Sequence, residues 1–232
     1  MTDLTVLYYT ANRISDTFRR GVWAQLEETL DDLAPPRVPI LVISQQRVDE
    51  PGARNLVVGS IGASIYNVYR QILAGARAAT TPYVACVEDD CLYVPEHFTC
   101  YRPAADTFGY NHHRWVLSAD GTYYWRERTQ MAQCIAPREL LIETLEERFG
   151  KYPAEVPHAI AKRSGWGEPG RYEKNLKLTP RRLEYFRTQD PNVTFNHAAS
   201  LMGRRRVNPT DLLVKELEPW GSGQALWDRV HG

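Results

Sequence analysis

Residues 83–90 read YVACVEDD, and this stretch decides the fold. Its first five residues are mostly apolar and predict a buried strand. Three carboxylates, Glu88, Asp89 and Asp90, then follow without a break. Neighbouring carboxylates repel each other and the burial of unpaired charge is costly, so packing alone does not explain them. The pattern indicates a strand that ends at a site for something positively charged.

Two strand–helix units precede this strand. The apolar runs LTVLYY (4–9) and ILVIS (40–44) predict strands, and each is followed by apolar residues at helical spacing, from Phe18 to Leu33 and within 63–79. Ser15 is positioned to cap the first helix. Alternating strands and helices predict an α/β fold with a Rossmann-like, mostly parallel sheet flanked by helices. Ligands of such sheets bind beyond the carboxyl ends of the strands, where the three acids lie.

The second half of the chain has a mixed pattern. RWVLS (114–118) and QMAQCIA (130–136) predict further strands, and PRELLIETLEERF (137–149) predicts a helix with proline at its start. The segment from Lys151 to Arg182 is rich in proline, glycine and positive charge. We therefore expect loops to form much of this half.

Composition places the protein among ordinary soluble globular chains. It has 232 residues, of which 43% are apolar and 24% charged. The sequence lacks an apolar run of membrane-spanning length and a signal-peptide pattern, so we expect a cytoplasmic protein without a membrane span. The four cysteines lack CxxC or zinc-type spacing, which favours reduced structural thiols.

Charge is unevenly distributed along a chain of zero net charge. Residues 1–161 carry 15 basic and 20 acidic side chains, 162–206 carry 11 and 4, and 207–232 carry 2 and 4. A strongly basic third quarter in a neutral protein favours a local anionic ligand over a surface that coats nucleic acid.

The acidic triplet suits a divalent cation. Mg²⁺ and Mn²⁺ prefer oxygen ligands, often one or two carboxylates together with substrate phosphates. Along a strand, Glu88 and Asp90 point one way and Asp89 the other, so one pair can serve the metal while Asp89 holds the loop or contacts a sugar hydroxyl. A solvated acidic turn is the alternative, and the preceding strand–helix units favour the metal site.

Together these segments resemble the nucleotide-sugar-dependent glycosyltransferases of the GT-A fold, family 2-like. LTVLYYTANR (4–13) opens the sheet, and Glu88-Asp89-Asp90 is similar to the family's DxD motif. The resemblance implies that Asp90, and next Glu88, binds a metal that bridges the donor's diphosphate. It further implies one domain, 1–206, with a nucleotide-sugar half (1–100) and a mixed acceptor half (101–206). Residues 207–232 would be a C-terminal extension.

Two later stretches extend the resemblance. SGWGEPG (164–170) is similar to a WGxE-type loop, which implies a sugar contact by Trp166 and a catalytic base in Glu168. Pro169 follows where another acid is common in the family. PNVTFNHAASLMGRRR (191–206) resembles the end of the catalytic core, which implies that His197 completes the metal or diphosphate site; a structural histidine is the alternative.

The candidate catalytic residues are Glu168 and Asp120. A placed carboxylate can take the proton of an acceptor hydroxyl. Asp120, in SADGTYYW, and Glu127, in WRER, are rivals of Glu168, and either could be a turn residue or a salt-bridge partner.

Several residues are candidates for binding the nucleotide-sugar donor. Arginine binds phosphate oxygens in a bidentate way, and a glycine before the arginine run suits a loop that closes on phosphate. A solvated run or a nucleic-acid contact is the alternative for these arginines, and a plain turn is the alternative for the end of the first strand. The candidates are Thr10, Asn12, Arg13, Asp89, Trp166, Arg204 and Arg205, with Arg206 adjacent.

The predicted function is a hexosyltransferase-type, inverting glycosyl transfer that depends on Mn²⁺ or Mg²⁺. The donor would be a UDP-sugar, and the acceptor a hydroxyl, on a hydroxymethylated pyrimidine in DNA or on a polysaccharide. The alternatives are a Mg²⁺-dependent nucleotidyltransferase and a non-enzymatic nucleic-acid-binding module. YYTANRISD lacks the glycine-rich phosphate loop typical of the former, and the latter leaves the acidic triplet unexplained.

Overall fold

The computed structural model describes residues 2–33, 35–50, 52, 54–165, 167–201, 203–204, 206–208 and 210–232. Two predicted site residues, Trp166 and Arg205, lie outside the described residues.

The strands in chain order are β1 (Leu4–Thr10), β2 (Ile40–Ser44), β3 (Arg54–Val57), β4 (Tyr83–Glu88), β5 (Cys91–Leu92), β6 (Thr107–Asn111), β7 (Arg114–Ser118), β8 (Tyr123–Trp125), β9 (Cys134–Pro137), β10 (Arg182–Phe186), β11 (Asn192–Asn196), β12 (Leu212–Val214), β13 (Glu216–Leu217) and β14 (Gly221–Ser222). The helices are α1 (Asp16–Asp31), α2 (Ile65–Ala78), α3 (Pro95–Thr99), α4 (Arg138–Lys151), α5 (His158–Ala161), α6 (Glu173–Leu176) and α7 (Gly223–His231). A short 3₁₀ turn spans Met131–Gln133.

The larger sheet has seven strands in the order β10-β6-β9-β4-β1-β2-β3. The pairs β4–β1, β1–β2, β2–β3 and β6–β10 are parallel, whereas β9 runs antiparallel to both β4 and β6. Helices pack against the sheet: α2 contacts β1 and β2, and α4 contacts β9. This architecture confirms the predicted mixed α/β fold with a mostly parallel sheet flanked by helices.

The first helices form where the sequence predicts them. The Ser15 hydroxyl accepts a hydrogen bond from the N–H of Phe18 at 3.2 Å and so caps α1. The apolar stripe of α1 is buried: Phe18, Val22, Leu26 and Leu30 are at most 3% exposed. These apolar residues of α1 pack in buried clusters with residues of the strands.

A second, five-stranded sheet has the order β12-β8-β7-β11-β5. Strand β5 follows β4 after only two residues, Asp89 and Asp90, and pairs with β11 in this second sheet. The acidic triplet therefore lies where the chain passes from one sheet to the other. This junction positions the acids between the two halves of the molecule.

The C-terminal residues pack onto the rest of the fold. Strand β12 pairs with β8, and α7 packs on α1. Gly21 allows the two helices to approach closely, because a Cβ at this position would lie 2.8 Å from the carbonyl oxygen of Val230. Leu226 and Val230 join Phe18 in one buried cluster.

Some local structure differs from the sequence-based expectation. The loop expected after β2 contains β3, a short edge strand whose residues are half-buried or exposed. The strand expected at 130–136 is a 3₁₀ turn followed by β9, because Cys134 rather than Gln130 begins the pairing with β6. Pro137 caps α4 rather than lying within it.

In the part of the chain that the structure describes, none of the helices has the length and apolar character needed to cross a bilayer.

Candidate active site

The three acids lie in a cleft at the carboxyl end of β4. Glu88, Asp89 and Asp90 are half-buried, and all three line the cleft. The cleft contains about 1390 Å³ of non-protein space, its open mouth included.

Each acid has its own neighbours. The Tyr9 hydroxyl donates to Glu88 Oε1 at 3.0 Å, and the Thr10 hydroxyl donates to Asp89 Oδ2. His197 Nε2 lies 3.1 Å from Asp90 Oδ2. Loss of hydration, with the charge of Asp90 second, raises the pKa of Asp89 to about 7. The parallel register of β1 and β4 explains the first contact, since it places Tyr9 beside Glu88.

Among the described residues, Glu88, Asp90 and Cys91 bring possible ligand atoms within 4.8 Å of one another. Burial raises the pKa of the Cys91 thiol well above its usual value. Its sulfur lies 3.2 Å from Thr194 Oγ1 and 3.3 Å from Asp90 Oδ1. The carboxylate oxygens of Glu88 and Asp90 thus form the useful donor set, and they suit a hard divalent cation.

Two of the three candidates at the end of β1 line the cleft, and the third does not. Thr10 and Arg13 line the cleft, whereas Asn12 is not among the lining residues. Asn12 has a left-handed backbone (φ 55°), and its Oδ1 accepts from the N–H groups of Gln45 and Gln46 at 2.9 and 3.0 Å. Asn12 therefore ties the loop after β1 to the loop after β2.

Gln71 of α2 was not predicted as a site residue. Its Nε2 donates to the carbonyl oxygens of Thr10, at 2.7 Å, and of Ile43, at 3.0 Å. The side chain is 1% exposed and lines the base of the cleft. It holds the ends of β1 and β2 in place. In the sequence, the only indication of this role was that Gln71 is a polar residue among the apolar residues of the predicted helix in 63–79.

Glu168 enters the same cleft from the loop before α6. It is 5% exposed, and its Oε2 has no hydrogen-bond partner among the described residues. Burial raises the pKa of this carboxyl, and the charges of Arg171, Arg128 and Arg148 act against the increase. Glu168 lines the cleft, and a carboxylate in this position can accept a proton from a ligand.

Arg148 holds the loop that carries Glu168. This residue of α4 is 1% exposed, and its guanidinium donates to the carbonyl oxygen of Gly167 at 2.7 Å. The guanidinium also lies 4.5 Å from the centre of the Tyr69 ring and 3.7 Å from Glu173. Arg148 shares a helix face with Leu141 and Leu145, so a charge on an apolar stripe was the available signal.

The remaining candidates lie elsewhere. Asp120 is exposed in the turn between β7 and β8, where its Oδ1 accepts from the N–H of Thr122 at 3.1 Å. Glu127 contacts His112 at 3.1 Å and Arg187 at 3.6 Å. Neither acid is among the residues that line the cleft, and neither is Arg204, which is exposed. Asp120 is thus a turn residue, Glu127 a salt-bridge partner and Arg204 an exposed arginine.

Three arginines line the cleft beside the second sheet. Arg114 of β7 and Arg126 and Arg128, which follow β8, line it together with Val116 and Tyr124. Strands β7 and β8 pair antiparallel with Trp115 opposite Trp125, so the segment after β8 begins beside Arg114. The spacing of two between the arginines of WRER was the signal in the sequence.

Three arginines of the basic third quarter form ion pairs with acids from elsewhere in the chain. These ion pairs join Arg181 to Glu143 (2.9 Å), Arg182 to Asp106 (3.1 Å) and Arg187 to Glu127 (3.6 Å). The described residues of this segment therefore do not form one continuous unpaired basic strip.

No protein-family model matches the chain, and neither does any curated protein sequence. Solved structures resemble it at low identity. A nucleotidyl transferase from Methanothermobacter is 13% identical over 82% of this chain and 89% of its own (TM-score 0.48). A glycosyltransferase involved in glycosylation of the major capsid of PBCV-1 is 10% identical over 83% and 92% (0.47). The catalytic domain of Drosophila β1,4-galactosyltransferase 7 is 12% identical over 80% and 64% (0.41).

Proposed function

We propose that the protein is a metal-dependent glycosyltransferase, which moves a sugar from a nucleotide-diphosphate donor, a UDP-sugar, to a hydroxyl acceptor. The observation that carries the proposal is one cleft with two kinds of carboxylate. Glu88 and Asp90 offer clustered oxygens at the end of a central parallel strand. Glu168 is separate and buried, and one of its oxygens has no partner among the described residues. Sugar transfer from a diphosphate needs both kinds.

Glu88 and Asp90 would hold Mn²⁺ or Mg²⁺, with His197 beside Asp90 as a further candidate ligand. Carboxylate oxygens are the donor set that such cations prefer. When bound, the cation would stabilise the negative charge that accumulates on the departing diphosphate. Thr10 orients Asp89 through its hydroxyl, and Tyr9 does the same for Glu88.

Glu168 would act as the general base. Its carboxylate would take the acceptor proton while the acceptor oxygen bonds to the anomeric carbon and the bond from that carbon to the diphosphate breaks. The described residues of the cleft offer no separate group that is arranged as a covalent nucleophile, so direct displacement with inversion is the step we propose. Arg148 would keep the loop of Glu168 in position through its bond to Gly167.

The donor would lie over the ends of β1 and β2. Thr10 and Arg13 line the cleft there, and the residues from Gly62 to Ile65 form its other wall. Trp166 is proposed as a sugar contact, and Arg204 and Arg205 as phosphate contacts that a loop brings in. The acceptor hydroxyl would approach from the side of Glu168, whether a modified pyrimidine in DNA or a polysaccharide carries it.

A nucleotidyltransferase is the second candidate. Its support is the same pair of oxygen ligands together with the arginines 114, 126 and 128 in the cleft, since a nucleoside triphosphate needs a divalent cation and cationic partners. A nucleic-acid-binding module has less support, because it leaves the acidic triplet unexplained and three arginines of the basic third quarter are paired with acids.

Product analysis separates the two enzymes. We expect the protein to release UDP from a UDP-sugar in the presence of Mn²⁺, and to stop when EDTA is added. A nucleotidyltransferase would instead join a nucleoside triphosphate to a sugar phosphate and release pyrophosphate from the triphosphate. Release of pyrophosphate without any release of UDP from a panel of UDP-sugars would overturn the glycosyltransferase proposal.

A further inference from the structure

The C-terminal segment (207–232) contacts the strand that leads to His197. This strand, β11, ends directly before His197. At its other end, Trp220 Nε1 of the C-terminal segment donates to the carbonyl oxygen of Pro191 at 2.7 Å. Pro191 comes directly before the first residue of β11, so this hydrogen bond fixes the point at which the chain enters the strand.

The far end of β11 is held by the C-terminal helix α7. The ring of Phe195 packs edge-on against two rings of α7, with centroids 5.7 Å from Trp227 and 5.5 Å from His231. The N–H of Phe195 also donates to the carbonyl oxygen of Asp90 at 2.9 Å. Phe195 thus joins the C-terminal helix to the backbone of an acid that is a candidate metal ligand.

A series of ring contacts runs from α7 to the imidazole of His197. The rings of Trp227 and His231 stack at 3.9 Å, and the His231 ring stacks on the Phe18 ring of α1 at 4.1 Å. The rings of Phe18 and His197 meet edge to face, with 5.3 Å between their centroids. His197 Nε2 in turn lies 3.1 Å from Asp90 Oδ2. The series therefore connects the C-terminal helix to the acidic cluster.

These contacts restrict the orientation of the His197 ring. Phe18 is 3% exposed and His197 is 7% exposed, so both rings lie in close-packed surroundings. Aromatic rings in contact prefer stacked or edge-to-face arrangements, which the three contacts from Trp227 to His197 show. Groups that orient the ligands of a metal site also tune its affinity for the metal. The ring contacts are therefore placed to act on a cation at the acids.

We propose that Phe18 is a positioning residue for His197, and that α7 holds Phe18 in place through the ring of His231. The C-terminal segment is then a part of the catalytic unit. His231 acts by stacking rather than as a ligand, since it is not among the described residues that line the cleft. The role of His197 toward a cation rests on the proposed function, whereas the ring contacts do not.

Binding of Mn²⁺ alone, without nucleotide or sugar, measures this effect apart from catalysis. The free ion is followed by electron paramagnetic resonance. We expect Phe18→Leu and His231→Ala each to weaken Mn²⁺ binding about tenfold, because the loss of a group that orients a metal ligand has an effect of this size. His231→Phe keeps a flat ring for stacking and should retain the affinity of the parent.

Leu226→Ala is the matched control for stability. Leu226 lies on the same helix and in the same buried cluster as Phe18, but outside the series of rings. The substitution should lower the melting temperature at least as much as His231→Ala does, since it opens a cavity in the core. It should leave the affinity for Mn²⁺ unchanged.

A double-mutant cycle tests whether the effect passes through His197. In a His197→Ala background, His231→Ala should cause no further loss of Mn²⁺ affinity, because the ring that it positions is already absent. Thermal melting of each variant in EDTA checks that the protein is folded before Mn²⁺ is added.

Three outcomes would overturn the inference. These are an unchanged Mn²⁺ affinity in both Phe18→Leu and His231→Ala, an equal loss of affinity in Leu226→Ala, and a further tenfold loss from His231→Ala when His197 is already replaced. Loss of binding in Asp90→Ala with unchanged binding in His231→Ala would reject the role of α7 and leave the metal site of the proposed function intact. A parent protein that does not bind Mn²⁺ would reject both.

Discussion

Two groups of carboxylates share the cleft, and their surroundings differ. Glu88, Asp89 and Asp90 are adjacent, half-buried and hydrogen-bonded, and burial, with the charge of Asp90 second, raises the pKa of Asp89. Glu168 stands apart on a loop, is 5% exposed and keeps one oxygen without a partner among the described residues. Clustered oxygens that repel one another suit a cation, whereas a single buried oxygen suits a proton. One residue type can therefore serve two chemical tasks in one cleft, as its neighbours dictate.

The largest effect is expected at the cluster. Asp90→Ala should lower the rate of Mn²⁺-dependent UDP release by about a thousandfold, because it removes oxygen ligands from the cation that stabilises the leaving group. The measurement is UDP release from a UDP-sugar at saturating Mn²⁺. Asp49→Ala is the control, since Asp49 pairs with Arg47 on the surface. If Asp90→Ala kept a rate within about threefold of the parent, the cluster would not be the metal site.

Glu168→Gln should act on transfer alone. We expect the rate of sugar transfer to the acceptor to fall by about a hundredfold or more, because the amide cannot take the hydroxyl proton. Binding of Mn²⁺ and UDP should stay unchanged, as measured by calorimetry. Asp120→Asn is the matched control, since Asp120 lies in the exposed turn outside the cleft lining. The opposite pattern, with Asp120→Asn inactive and Glu168→Gln active, would exchange the two assignments.

Arg148 tests whether the base needs its support. Arg148→Met should lower kcat by about tenfold with little change in UDP affinity, because the bond to Gly167 is lost and the loop of Glu168 is less well placed. It should also reduce the free energy of unfolding by about 3 kcal/mol, since Glu173 is left buried without its cation. Adding Glu173→Gln should restore stability but not kcat. Recovery of both would mean that Arg148 acts only on stability.

The smallest effect concerns pH. Burial raises the pKa of Glu168 in the folded protein above its ordinary value, so the folded state holds a proton there that the unfolded chain has already released. The parent therefore loses stability from this group as pH rises through that range. We expect the melting temperature of Glu168→Gln, relative to the parent, to increase between pH 4 and pH 8. A difference that stays constant over this range would contradict the burial of the charged carboxylate.

The fold was largely predictable because the elements of its first half follow from short, local patterns in the sequence. The strands β1, β2 and β4 and the helices between them follow from apolar runs, spacing and the Ser15 cap, none of which needs long-range information. The 3₁₀ turn at Met131–Gln133 was not predictable in this way, since pairing across β9 decides where the strand begins.

The site was only partly predictable. Glu88, Asp89, Asp90, Glu168, Thr10, Arg13 and His197 were singled out and do line one cleft, while their chemical roles remain predictions. Arg148 and Gln71 were missed because each looks like one polar residue in a helical pattern. The clustering of Arg114, Arg126 and Arg128 at the cleft depends on how β7 pairs with β8, which cannot be derived from either segment alone.

One measurement tests the central claim most directly, namely that a divalent cation at positions 88–90 joins the protein to a nucleoside diphosphate. Thermal melting is followed with UDP, with and without Mn²⁺, for the parent and for Asp90→Ala. We predict that UDP raises the melting temperature of the parent only when Mn²⁺ is present, with a gain of about 2.7 kcal/mol at a hundred times Kd, and that Asp90→Ala shows no such gain. An equal shift in EDTA, or the same Mn²⁺-dependent shift in Asp90→Ala, would contradict the claim.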